Sequence, residues 1–115
     1  MEQDAETFRV HADTMADLKT VASEDIADQV AVVKAVADER RLRILGLLTV
    51  SELCVCDLVE VFDVEYSKLS YHLKQLREAG LVRTDRDGNY VTYELTARGE
   101  ATADSLEQFE STAID

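Results

Sequence analysis

The chain of 115 residues has no proline, no tryptophan, only two cysteines and two histidines, and we find no repeat or low-complexity tract. No run of apolar residues approaches the length of a membrane span, and no signal-peptide pattern opens the sequence. These absences predict a cytoplasmic protein with no membrane partner. In a reducing compartment, two cysteines favour thiol chemistry or a ligand site over a structural disulfide.

Basic residues are also scarce, with 12 against 24 acidic ones and a formal net charge of −12 at pH 7. An acidic chain is an unusual partner for nucleic acid, but most of the excess acid lies at the flanks. Residues 38–98 hold eleven acidic and nine basic side chains, so the middle is nearly balanced. Four lysines against eight arginines, with many acids, are typical of adaptation to molar salt. We therefore favour a protein from a halophile over an ordinary acidic protein.

The apolar share of 46% and the length fit one small domain. Residues 1–16 are predicted to form an acidic N-terminal arm, either frayed or a weak first helix, and residues 17–115 the folded domain. Apolar periodicity predicts a helix over residues 17–36, with an alternative start at Ser23 and Glu24, and a second helix after a cap at Asp38. The inward positions of these helices are expected to be Ile26, Val30, Val33, Ala37, Leu42, Leu45 and Leu48.

Two further helices, over residues 54–62 and 66–79, are separated by a tight turn, and Gly80 is a fitting stop for the second. Such a pair indicates a helix-turn-helix. Its buried anchors are predicted to be Leu58, Val61, Phe62, Leu69, Leu73 and Leu76.

Beyond Gly80 the apolar period changes from 3.6 to 2. Residues 81–85 and 89–95 are predicted strands joined by a turn over residues 86–88, where Asp-Gly is a strong hairpin signal. Thr96 is a fitting N-cap for a last helix, whose apolar face includes Leu106, Phe109 and Ala113. This order predicts a mainly α-helical winged helix-turn-helix with a β-hairpin wing. The first and last helices carry apolar stripes with little to cover them, so we expect a homodimer with recognition helices about 34 Å apart.

Cys54 and Cys56 have the most distinctive chemistry in the chain. Arsenite, antimonite and cadmium prefer thiolates to imidazole or carboxylate, and a helix N-terminus stabilises the thiolate, although Glu52 and Asp57 oppose this. On a regular helix, residues i and i+2 point about 200° apart, so one ion reaches both sulfurs only if the first turn unwinds. The residues alone leave two interpretations open, a ligand site and a pair of inert buried side chains.

Three segments together resemble the ArsR/SmtB family of metal- and metalloid-responsive repressors: ELCVCDL at 52–58, SKLSYHLKQLREAGLV at 67–82 and YVTYELT at 90–96. The CVC cysteines are similar to those of arsenic- and antimony-sensing members, and cadmium- and lead-sensing members share the pair. The resemblance implies a homodimer that occupies its operator when free and leaves it when arsenite or antimonite binds. The alternative is that cadmium, lead, zinc or an oxidant acts on the same thiols.

The sequence departs from the three-cysteine arsenic repressors, because Val59 stands where they place a third cysteine. Pyramidal arsenic would then take its third donor from water, a small thiol or the partner subunit. His11 on the N-terminal arm is a candidate for that donor, as arm residues are in cadmium-sensing relatives, and a solvated side chain is the alternative. Residues 97–115 contain no histidine, so the zinc site that some relatives carry on the last helix is absent.

The outer face of the second helix of the pair presents hydroxyl, aromatic and basic side chains, which suit phosphates and base edges in a major groove. The DNA-contacting residues are expected to be Tyr66, Ser67, Lys68, Ser70, Tyr71 and Lys74, with Arg86 at the tip of the wing. Asp85 and Asp87 oppose a role for Arg86, and Asn89 stands where relatives often carry a base. His72 matches the family's histidine before leucine. It is not among the residues expected to contact DNA, because packing or local bonding within the protein is equally expected.

Two other classes of function are alternatives to a reader of double-stranded operator DNA. A thiol oxidoreductase is disfavoured because the pair is C-x-C and no βαβ pattern surrounds it. No constellation of nucleophile, acid and base indicates hydrolysis, so we expect a protein that is not an enzyme. An interaction module whose acidic surface binds a basic protein is the remaining rival.

Overall fold

The computed structural model describes residues 9–112, and these form six helices and one antiparallel hairpin. The helices are α1 (Ala12–Ala22), α2 (Ala27–Val36), α3 (Glu39–Leu48), α4 (Val55–Phe62), α5 (Tyr66–Glu78) and α6 (Ala97–Ser111). Strands β1 (Val82–Asp87) and β2 (Tyr90–Leu95) lie between α5 and α6. The predicted winged helix-turn-helix, mainly α-helical with a hairpin wing, is confirmed.

The single helix predicted over residues 17–36 is wrong. It is two helices, and the first begins at Ala12, inside the predicted arm. The hydroxyl of Ser23 donates to the carbonyl of Thr20 at 2.9 Å, which closes α1, and the carboxylate of Asp25 accepts the N–H of Ala27 at 3.0 Å, which opens α2. These side chains offer the backbone an alternative to continuous helix, and the chain breaks between them.

The core lies where α3, α4, α5 and the base of the wing meet. Leu45, Leu48, Leu58, Leu69, Leu73 and Leu76 are buried there as predicted, together with Ile44, Val55, Leu81, Val82 and Leu95. Phe62 packs against this core from its edge. Several expected inward positions are instead exposed, namely Ile26, Val30, Val33, Leu42 and Val61, and Ala37 is exposed as well.

The helix-turn-helix has the short connection that its sequence predicts. Asp63 closes α4 in a left-handed conformation with φ +54°, which aspartate tolerates better than most residues. At the end of α5, Gly80 has φ +79°, and the N–H of Leu81 donates to the carbonyl of Leu76 at 3.0 Å. This bond and the left-handed glycine end the helix as expected.

The turn of the wing is displaced by one residue from its predicted place. Asp87 pairs with Tyr90, so the loop is Gly88 and Asn89, with Gly88 at φ +64°. A glycine at the first loop position takes up the positive φ that a two-residue hairpin requires. Arg86 is consequently within β1, opposite Val91, and not at the tip.

The last helix is held by its cap and by a close approach to the wing. The Thr96 hydroxyl accepts the N–H of Gly99 at 3.0 Å, which confirms the predicted N-cap. Leu106 packs against the core, whereas Phe109 is 70% exposed, and Ala113 lies outside the described residues. Gly99 is buried where α6 meets the hairpin, and a Cβ there would overlap the carbonyl oxygen of Leu81.

Gly99→Ala is therefore expected to destabilise the fold by about 1–3 kcal/mol, because a backbone atom must move to admit the methyl group. Thermal unfolding followed by circular dichroism measures this as a lower Tm. Gly46→Ala is the matched control, since nothing lies within 4 Å of the added carbon and helical alanine is favoured over glycine. Equal Tm values for Gly99→Ala and the wild type would contradict the close approach.

Candidate effector site and nucleic-acid interface

The two cysteines lie at the N-terminus of α4, and Cys54 is its cap and not its first residue. Cys54 is extended, and its sulfur accepts the N–H of Asp57 at 3.2 Å. In return, the carboxylate of Asp57 accepts the N–H of Cys54 at 3.0 Å. This is a capping box in which a sulfur stands where serine or threonine is usual.

The extended backbone at Cys54 brings the two sulfurs together, and the structure joins Cys54 and Cys56 in a disulfide with Cα atoms 5.2 Å apart. Two expectations are therefore wrong. The thiols are not free in this structure, and they do not point to opposite sides of a helix. Because Cys54 is the cap, both sulfurs lie together without any unwinding of α4.

A groove of about 390 Å³ runs from the cysteines to the wing. Cys54 is buried at its edge and Cys56 is exposed. The lining comprises Cys54, Val55, Cys56, Tyr66, Asn89, Tyr90, Val91 and Tyr93. The cysteines therefore face both the first residue of α5 and the wing, two parts expected to touch DNA.

The segment before the cysteines is also tied to the wing through its backbone. The N–H of Leu53 donates to the carbonyl of Tyr93 at 3.1 Å, and the N–H of Tyr93 donates to that of Leu53 at 2.8 Å. Because Cys54 follows Leu53 directly, a change in the backbone at Cys54 acts on β2 as well as on α4.

The donor set around the sulfurs is limited. Within residues 9–112, one group of three suitable side chains has its ligand atoms within 4.8 Å of one another: Cys54, Cys56 and Asp57. Asp57 was predicted to oppose the thiolate; its position three residues after the cap was the signal for the capping box. Val59, in the place of the expected third cysteine, packs against the core. His11 is outside this group: it caps α1, where its Nδ1 accepts the N–H of Asp13 at 3.4 Å.

The residues expected to contact DNA lie along one side of α5. Tyr66, Ser67, Lys68, Tyr71 and Lys74 are exposed, and Ser70 is half-buried. The first turn of α5 contains no acidic residue. Arg86 is exposed in β1, one residue before the pair Asp87–Tyr90 that closes the loop. DNA contact by these side chains stays a prediction.

His72 is turned away from that surface and bonds within the protein. Its Nδ1 lies 3.2 Å from Nη1 of Arg41 and 4.0 Å from the carboxylate of Asp38. Burial is the main cause that lowers the pKa of His72 below its usual 6.5; the Asp38 carboxylate raises it, and Arg41 and Arg40 lower it further. The sequence left an internal role for His72 open, but it did not indicate Arg41 and Asp38 as its partners.

The sequence and the fold of this chain are similar to those of known proteins. The profile described as "Bacterial regulatory protein, arsR family" matches residues 38–84. The cadmium resistance regulatory protein CadC of Listeria innocua is 34% identical over 86 residues, which are 73% of this chain and 72% of that protein. The chain belongs to the ArsR family. Transcriptional regulation is thus the activity of its relatives, as the sequence suggested.

Two further comparisons extend the ArsR assignment. An arsenical resistance operon repressor of Bacillus subtilis is 48% identical over 63 residues, 54% of this chain and 60% of that repressor. The chain therefore spans about three fifths of the length of that relative. The solution structure of a homodimeric winged helix-turn-helix DNA-binding domain from Mycobacterium bovis has a TM-score of 0.67 and 27% identity, covering 90% of each chain. Within the described part of this ArsR protein, no helix has both the length and the apolar character needed to cross a bilayer.

Proposed function

We propose that this ArsR-family protein is a homodimeric transcriptional repressor that binds operator DNA and leaves it when arsenite or antimonite binds reduced Cys54 and Cys56. The observation that carries the proposal is the groove between the cysteines, the start of α5 and the wing. A ligand there touches both elements expected to contact DNA. It therefore favours one arrangement of them over another, as allosteric release requires.

The chemistry of the pair suits a soft metalloid. Once the disulfide is reduced, arsenous acid condenses with the two thiols, forming two As–S bonds and releasing two waters. The third arsenic ligand is the remaining hydroxyl, a small thiol or a group from the partner, because Val59 offers no donor. The Bacillus subtilis relative, named as an arsenical resistance operon repressor, supports this choice of effector.

The same pair supports two other signals. The disulfide between Cys54 and Cys56 favours an oxidant as an alternative effector, since the bond forms at the cap of α4 and beside the groove to the wing. The nearby carboxylate of Asp57 and the likeness to CadC favour cadmium, with lead or zinc as further candidates, because these cations accept a mixed sulfur and oxygen set.

The shape and surface of one protomer support the proposed homodimer. The radius of gyration is 19.9 Å, against about 13 Å for a compact domain of 100 residues, and α1 has no buried residue. Apolar side chains are exposed on α1, α2 and α6, and they include Met15, Leu18, Val21, Val30, Val33 and Phe109. A second copy with the same surfaces would cover them, as in the homodimeric Mycobacterium bovis domain.

The test is anisotropy of labelled DNA from the protein's own promoter, titrated with reduced protein and then with arsenite, in molar KCl and at lower salt. Tight binding that arsenite abolishes is the expected result. Binding that resists arsenite but yields to cadmium or to diamide would move the proposal to those effectors. Failure to bind at any salt concentration would overturn the repressor itself.

Lys68→Ala and Lys74→Ala are each expected to weaken operator binding by a similar factor for all sequences. Each removes one phosphate contact, so the slope of log affinity against log salt should become shallower by about 1. Lys34→Ala is the matched control, because Lys34 is exposed on α2 and not on α5. An unchanged slope for both α5 variants would contradict DNA contact by these lysines.

A further inference from the structure

A network of polar side chains connects α2, α3 and α5 and shares no residue with the cysteine groove. Arg41, in the first turn of α3, donates from Nε to the main-chain carbonyl of Ala35 in α2 at 2.6 Å. Its Nη1 lies 3.2 Å from Nδ1 of His72, in the middle of α5. The carboxylate of Asp38 accepts the N–H of Arg41 at 3.0 Å and lies 4.0 Å from the same imidazole nitrogen. One arginine thus joins three helices.

The partners of His72 decide its protonation state. A guanidinium has only donors, so Nδ1 of His72 must accept, and the imidazole is neutral with its proton on Nε2. A proton on Nδ1 would set two positively charged donors 3.2 Å apart. The bond between Arg41 and His72 is therefore available to the neutral imidazole alone.

The remaining surroundings of His72 do not replace that bond. From α3 the charged groups near it are Asp38, Arg40 and Arg41. From α4 it meets the cavity that Phe62 lines, and on its own helix the ring of Tyr71 lies at 5.6 Å, edge to face. Glu39 and Arg43 line the same cavity and pair with each other at 3.0 Å. The carboxylate that lies 4.0 Å from Nδ1 is that of Asp38. An imidazolium can turn toward it, but that movement takes Nδ1 away from Arg41.

We propose that His72 is a positioning residue for operator binding, whose neutral imidazole accepts from Arg41 and fixes α5 against α3 and α2. This inference rests on the proposed function, because α5 is the helix that would read the operator. Protonation of His72 releases the contact and loosens the recognition helix. Because burial lowers the pKa of His72, the contact is complete above about pH 6.5 and is lost as the pH falls through the lower folded value.

Anisotropy of labelled promoter DNA at pH 7.5 and pH 5.0, with reduced protein, tests the proposal. For the wild type, operator affinity should fall at pH 5.0 toward a limit of about fivefold for the fully protonated imidazole, the factor for one hydrogen bond of about 1 kcal/mol. His72→Asn keeps an acceptor at the δ position that does not titrate, so its affinity should be near wild type and equal at the two pH values. His72→Leu should bind about fivefold more weakly at both.

The chain offers a matched control, since it contains two histidines and the other is exposed at the start of α1. His11→Asn should keep the full pH dependence of the wild type. A His72→Asn variant that still loses affinity at pH 5.0, or a His72→Leu variant with wild-type affinity at pH 7.5, would overturn the inference. Equal operator affinity of the wild type at the two pH values would overturn the role of His72 but not the proposed function. No binding at either pH would overturn both.

A measurement without DNA covers the case in which His72→Leu does not fold. Nitrogen-15 NMR of the imidazoles distinguishes a protonated from an unprotonated Nδ1. At pH 7.5 the His72 signal should show the proton on Nε2 alone. A proton on Nδ1 of His72 at this pH would refute the hydrogen bond on which the positioning depends.

Discussion

Replacing both Cys54 and Cys56 by serine is expected to leave operator affinity close to that of the wild type and to abolish release by arsenite. Serine retains an acceptor for the N–H of Asp57, so the cap of α4 survives. Hydroxyl groups bind arsenic far more weakly than thiolates do. Where arsenite lowers the DNA affinity of the wild type by a typical coupling factor of about 5–150, the factor for the variant should be about 1.

The measurement is the same anisotropy titration with arsenite, run on the wild type, both single variants and the double variant. Each single variant keeps one thiol, so it should require much more arsenite than the wild type. If the double variant is released as readily as the wild type, the effector does not act through this pair. If the double variant does not bind DNA even without arsenite, the substitutions have damaged the cap of α4 and the response cannot be assigned to the thiols. A Tm of the variant below that of the wild type identifies this outcome.

The helix-turn-helix and the wing were predictable because local chemistry specifies their ends. Gly80 stops α5, Thr96 starts α6, and the apolar period changes from 3.6 to 2 at the wing. The break between α1 and α2 was indicated only by the alternative helix start at Ser23 and Glu24, because no proline or glycine marks it. Two short polar side chains, Ser23 and Asp25, make it by bonding to the backbone, and the same residue types are tolerated within helices.

The geometry of the candidate site was also only partly predictable, because it depends on the position of a single residue. Treating Cys54 as the first helical residue put the sulfurs on opposite sides, whereas a shift of one position into the cap brings them together. Capping boxes usually begin with serine or threonine, so a cysteine followed by Asp57 gave a weak signal. Tyr93 joins the groove only because β2 pairs with Leu53, a contact across 40 residues that no local pattern contains.

Replacing Leu18 and Val21 by glutamate is expected to convert the protein to a monomer and to lower operator affinity by about 100-fold or more. These residues are 49% and 62% exposed on α1, a helix that buries nothing within its own protomer. Charges there would be desolvated at the proposed dimer interface, but a single protomer would accept them. A monomer reads one half-site, and losing the second simultaneous contact costs about 10²–10⁴ in overall affinity.

Sedimentation equilibrium gives the oligomeric state, and anisotropy with the full operator gives the affinity. Ala16→Glu with Thr20→Glu is the matched control, because it adds the same charge to the opposite face of α1. The control should remain dimeric and bind as the wild type does. A Leu18 and Val21 variant that stays dimeric would show that α1 is not at the interface, and the exposed residues of α2 and α6 would then be the ones that a second copy covers. A monomer that binds as tightly as the wild type would remove the need for two half-sites, and with it the requirement for a dimeric repressor.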